Sequence, residues 1–126
     1  MSARVLIVDD HAPFRALARR VLTADGFDIV GEAADGASAI DAARALRPDV
    51  VLLDVQLPDV DGFRVALELS GEPPSPAVVL VSTRSGSDYG SRLTTSPARG
   101  FIAKADLSGE GLQRVLDGPG LLTPRG

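Results

Sequence analysis

No cysteine occurs in this chain of 126 residues. That absence excludes a disulfide framework, a thiolate metal site and a cysteine nucleophile. No apolar stretch approaches the roughly 18 residues of a membrane span. A basic excess is missing too: the formal net charge is −4 and the pI about 4.8. Nucleic acid and anionic membrane surfaces need a basic footprint, so neither is an expected partner. No internal repeat or low-complexity segment interrupts the chain. An apolar strand pattern begins at Val5, which leaves no room for a signal peptide. A cytoplasmic location is the expectation. Hydrophobic residues are 44% and charged residues 24%, an ordinary globular balance that suits one domain with a real core.

What is present is a set of short apolar runs, each ending in a reactive polar residue. Val5-Leu6-Ile7-Val8 runs into Asp9-Asp10. Val50-Val51-Leu52-Leu53 ends at Asp54, Val78-Val79-Leu80-Val81 at Ser82, and Phe101-Ile102-Ala103 at Lys104. Runs of β-branched and aliphatic residues bounded by turn signals read as strands buried on both faces. Such strands build parallel sheets, whose ligands bind beyond the strands' carboxyl ends. Carboxylates, a hydroxyl and an ammonium group would meet at one sheet edge. That set suits a hard cation and a phosphoryl group.

Helical patterns separate the strands. Phe14, Leu17, Ala18, Val21 and Leu22 repeat at helical spacing across Ala12 to Thr23, with Pro13 near the start and Asp25-Gly26 as the stop. A further strand is expected over Phe27 to Ala33. Asp35 can cap a second helix that ends before Pro48. A short helix on Phe63, Ala66 and Leu67 follows the turn-rich Leu57 to Gly62, and Gly71 to Pro76 reads as a loop. Ser85 to Ser96 has only Tyr89 and Leu93 as large apolar residues, so a short, poorly anchored helix is placed there. Ser108 can cap a last helix carrying Leu112, Val115 and Leu116, ended by Gly118-Pro119-Gly120. The pattern is α/β: five strands and five helices in alternation, hence a right-handed, doubly wound five-stranded parallel sheet.

With these pieces in order, the chain resembles the response-regulator receiver domains of two-component signalling. The pieces are Asp9-Asp10, Asp54, Leu57-Pro58-Asp59-Val60-Asp61-Gly62, Ser82 and Phe101-Ile102-Ala103-Lys104. The run Val8-Asp9-Asp10-His11-Ala12-Pro13-Phe14-Arg15 is similar to receivers of LuxR-type regulators. The resemblance implies the flavodoxin-like strand order 2-1-3-4-5, with a receiver domain over residues 1–118 and a C-terminal tail over 119–126. A LuxR-type DNA-binding domain would not fit after Asp117, so a stand-alone receiver is expected, with a receiver fragment of a DNA-binding regulator as the alternative.

The resemblance implies these roles. Asp54 would take a phosphoryl group from the phosphohistidine of a sensor histidine kinase. Asp9, Asp10, Asp54 and the backbone carbonyl of Gln56 would hold Mg²⁺, with Asp10 the more direct ligand of the acidic pair and Asp9 often acting through water. Mg²⁺ favours near-octahedral oxygen ligands and bridges carboxylate to phosphate. Lys104 would pair with a phosphoryl oxygen and Ser82 would hydrogen-bond another; Thr83 is the alternative hydroxyl. Phe101 occupies the place of an aromatic switch residue. The output would be a protein contact, to a downstream partner or a second copy, through the face of helix 4, strand 5 and helix 5.

Plainer readings stand beside these. Asp9 and Asp10 would simply cap the first helix, Lys104 would be a surface lysine, Phe101 a core residue and His11 a solvated residue at the helix start. Two other function classes fit the sequence less well. An aspartyl phosphatase of the haloacid-dehalogenase class needs an aspartate two residues after its nucleophile, where this chain has Gln56. A pseudo-receiver scaffold would lack one of the site residues, and none is missing.

Overall fold

The computed structural model describes residues 2–71 and 73–118; the expected tail over 119–126 lies outside them. Strands β1 (Arg4–Val8), β2 (Asp28–Ala33), β3 (Val50–Asp54), β4 (Ala77–Ser82) and β5 (Gly100–Ala103) alternate with helices α1 (Ala12–Ala24), α2 (Gly36–Leu46), α3 (Gly62–Ser70), α4 (Ser91–Thr95) and α5 (Gly109–Asp117). All strand pairs are parallel and the order is β2-β1-β3-β4-β5. This is the doubly wound, flavodoxin-like arrangement. Its strand order reverses between β1 and β3, which makes their carboxyl ends the expected crevice.

Side-chain alternation along the central strands splits the core in two. Leu6, Val8, Val51, Leu53, Val78 and Leu80 face α2, α3 and Leu93 of α4. Val5, Ile7, Val50, Leu52, Val79 and Val81 face Phe14, Ala18 and Leu22 of α1 and Leu112 of α5. Every residue of β3 is buried, as an apolar run without alternation requires.

Local chemistry sets the helix ends. Asp35 Oδ1 accepts from Ser38 N–H at 2.8 Å and caps α2; Ser108 Oγ accepts from Gly111 N–H at 2.9 Å and caps α5. Gly26, with φ +97°, turns the chain out of α1.

Three expectations shift. Leu67 points to solvent, and α3 instead buries Val65 and Leu69 beside Phe63 and Ala66. Phe27 precedes β2 and packs into the core against α1. The Ser85–Ser96 segment divides into a 3₁₀ turn over Gly86–Asp88 and the five-residue α4. Glycine, serine and threonine weaken a longer helix there. Among the described residues, no helix is long and apolar enough to cross a membrane.

Candidate phosphoryl and metal site

Three carboxylates meet at the β1/β3 crevice. Asp9 and Asp10 follow β1 and Asp54 ends β3. Each can offer one oxygen such that all three lie within 4.8 Å of one another. Asp9 is fully buried and Asp54 nearly so, whereas Asp10 is exposed. A hard, all-oxygen donor set of this kind fits a small divalent cation such as Mg²⁺.

Lys104 follows β5 and brings its ammonium into this cluster. Nζ lies 2.5 Å from Asp9 Oδ2 and 3.4 Å from Asp54 Oδ2. Asp9 Oδ2 is buried without a hydrogen bond, so its contact with the ammonium is an ion pair at an angle outside hydrogen-bonding geometry. Nζ also sits 4.6 Å from the centre of the Phe14 ring, a cation–π contact supplied by α1. Lys104 is the sole lysine of the chain; the other 12 of its 13 basic residues are arginines. That asymmetry is visible in the sequence and marks the position.

The charges at Asp54 do not balance. Burial and the neighbouring Asp9 charge push its carboxyl above the ordinary value of 3.8; Lys104 and the Gln56 N–H pull it back only in part. A cation among the three carboxylates would reverse that sign. Gln56 N–H donates to Asp54 Oδ1 at 3.2 Å, so the backbone after β3 is already turned to the carboxylate.

The loop from Val55 to Asp61 is pinned from several sides. Gly62 N–H donates to Val55 O at 2.7 Å. A Cβ on Gly62 would lie 2.3 Å from the Asp54 carbonyl oxygen, so only glycine permits this approach. Asp59 accepts from Gly36 N–H at 2.8 Å and Ala37 N–H at 3.1 Å, at the amino end of α2. Those bonds hold its carboxyl below the ordinary range, the Gly36 bond foremost. Asp61 caps α3 through Phe63 N–H and pairs with Arg92. Asp59 and Asp61 are therefore engaged away from the carboxylate cluster.

Ser82, at the end of β4, is buried. Its Oγ lies 2.6 Å from the Tyr89 hydroxyl and accepts from Arg84 N–H at 3.1 Å. Thr83 is exposed. Phe101 is half-buried, packs on the core, and lies 6.0 Å from the Tyr89 ring. His11 is exposed at the start of α1; its side chain makes no capping bond there, and its N–H donates to Asp9 Oδ1 at 2.8 Å. Sequence reasoning missed Tyr89, because its ring reads as one more apolar contact and only the fold carries its hydroxyl to Ser82.

Comparison with known proteins agrees with this fold. Residues 5–115 match the response regulator receiver domain family. The chain is 34% identical over 113 residues to the response regulator GacA of Pseudomonas viridiflava, covering 89% of this chain and 53% of that protein. It is 31% identical over 111 residues to the DNA-binding transcriptional activator EvgA of Escherichia coli, covering 88% and 52%. The signal receiver domain of the response regulator NarL from Mycobacterium tuberculosis superposes with a TM-score of 0.81 at 30% identity, covering 93% of this chain and 98% of that one. The chain spans about half the length, or less, of the relatives it matches. With an acidic cluster at the β1/β3 crevice and a lysine beyond β5, this chain belongs to the response-regulator receiver domains.

Proposed function

We propose that this receiver accepts a phosphoryl group on Asp54 from the phosphohistidine of a sensor histidine kinase and then changes its protein contacts. One observation carries the reading: the Asp54 carboxylate ends a buried strand beside two further carboxylates and the only lysine. An Asp54 oxygen attacks phosphorus, the P–N bond of the phosphohistidine breaks, and its imidazole leaves with the electron pair. Asp9, Asp10, Asp54 and the Gln56 carbonyl would hold Mg²⁺, which neutralises charge on the transferring group. Lys104 balances the remaining negative charge as a mobile point charge. Ser82 would donate to a phosphoryl oxygen; its burial at the strand end favours it over the exposed Thr83. Phe101 would adjust its packing as the Ser82 loop moves. The chain acts as a phosphoacceptor switch with slow self-dephosphorylation, in the cytoplasm, and not as a turnover enzyme.

Its output would pass through α4, β5 and α5, to a downstream protein or a second copy. The length of the relatives favours a second reading of context, in which the same receiver is one part of a DNA-binding regulator. Incubation with acetyl phosphate and Mg²⁺ tests the chemistry. One base-labile phosphoryl group is expected, absent without Mg²⁺ and absent in Asp54→Asn. Wild-type incorporation in the Asn variant would refute the assignment.

A further inference from the structure

Building on the reading of Asp54 as phosphoacceptor, we propose that the Tyr89 hydroxyl competes with the phosphoryl group for the single proton of Ser82. Tyr89 thereby holds the unphosphorylated state and is released when Ser82 turns to the phosphoryl oxygen.

The case begins with proton counting. A serine hydroxyl has one proton to donate and two lone pairs. Arg84 N–H donates to Ser82 Oγ at 3.1 Å, and the Tyr89 hydroxyl lies 2.6 Å away. Ser82 is 1% exposed, so solvent does not take its proton, and a buried hydroxyl is expected to be satisfied. Among the described residues, Tyr89 supplies the acceptor. Tyr89 is only half-buried, so its own proton can go to water. In the free state the bond would then run from Ser82 to Tyr89. A phosphoryl oxygen in this site accepts hydrogen bonds, and Ser82 cannot give one proton to both.

Release of the phenol would be felt beyond β4. The Tyr89 ring stands edge-on to Phe63 at 5.7 Å and tilted against Phe101 at 6.0 Å. Arg92 lies 4.4 Å over the Phe63 ring and pairs with Asp61. Tyr89 thus ties the end of β4 to α3 and β5 at once. It also lines an open cleft of about 440 Å³ with Gln56, Asp61 and Arg92, which leaves its ring space to move. Phe101 has no hydroxyl and cannot sense the Ser82 proton directly; Tyr89 can.

Beryllium fluoride, which mimics a phosphoryl group on a carboxylate, is the probe. It is titrated by calorimetry into the full chain at saturating Mg²⁺, for wild type and Tyr89→Phe. The variant keeps the ring and removes a bond made only in the free state, so linkage requires tighter binding. The expected gain is about two- to tenfold, the range of one net hydrogen bond, with Mg²⁺ affinity unchanged. A merely loosened site would bind more weakly, so the sign separates the two effects. The chain has one tyrosine and no tryptophan, so wild-type emission reports on Tyr89 alone and should change on binding. Equal or weaker binding by Tyr89→Phe, or unchanged emission in the bound wild type, overturns the competition and leaves the Asp54 reading standing. A wild type that binds no beryllium fluoride overturns both.

Discussion

Lys104 Nζ lies nearer to Asp9 than to Asp54, 2.5 Å against 3.4 Å. In this structure the ammonium thus serves chiefly to neutralise a fully buried carboxylate. Removing one partner of such a pair leaves a buried charge uncompensated.

Lys104→Met should therefore destabilise the metal-free protein by about 3 kcal/mol, the scale for breaking a buried pair. Asp9→Asn combined with Lys104→Met should lose clearly less than the sum of the two single changes. Urea denaturation of the four proteins measures this. Strictly additive losses would show that the pair is not coupled.

Asp54→Asn should raise the melting temperature at neutral pH without divalent cations. Burial and the Asp9 charge raise the Asp54 carboxyl above 3.8, so between that value and its folded value the native state binds more protons than the unfolded one. Stability then falls as pH rises through that window. The advantage of the Asn variant should grow as pH rises through that window and vanish as the pH drops toward about 4. Saturating Mg²⁺ should reduce it. A difference independent of pH would contradict the electrostatic cause.

Mg²⁺ should raise the melting temperature of wild type, Asp59→Ala and Asp61→Ala, but much less that of Asp10→Ala. Asp59 is engaged at the amino end of α2 and Asp61 at α3 and Arg92. Asp59→Ala should lower the metal-free melting temperature instead, because α2 loses two acceptors. An equal Mg²⁺ response in Asp10→Ala and wild type would exclude Asp10 as a ligand.

Gly62→Ala should destabilise the fold by about 2 kcal/mol, in the range of overpacking. Its new Cβ would lie 2.3 Å from the Asp54 carbonyl oxygen and 2.8 Å from Val55 Cα, both backbone atoms. Phosphorylation should also slow, since the loop beside Asp54 must shift. A stability within error of wild type would mean that the loop yields freely.

The parts legible in the sequence are those decided locally. β1, β3 and β4 are buried on both faces, so their apolar runs need no tertiary knowledge. Asp35 and Ser108 act on backbone groups three residues away. The illegible parts depend on distant partners. Asp59 looks like a turn residue until α2 is packed beside it. Leu67 fits the helical period of α3, but the sheet covers Val65 and Leu69 instead. Lys104 can be read as a phosphate ligand, yet its pairing with Asp9 appears only when β5 is placed beyond β4. Tyr89 and Ser82 are seven residues apart, and the broken α4 segment between them has no periodicity from which their contact could be read.

Borohydride reduction tests the central claim most directly, because an acyl phosphate is reduced to an alcohol and so marks the carboxylate that carried it. After treatment with acetyl phosphate and Mg²⁺, peptide mass spectrometry should find homoserine at position 54 and intact aspartate at Asp9 and Asp10. Homoserine at position 9 or 10 with aspartate retained at position 54, or no homoserine in a phosphorylated chain, would contradict the account.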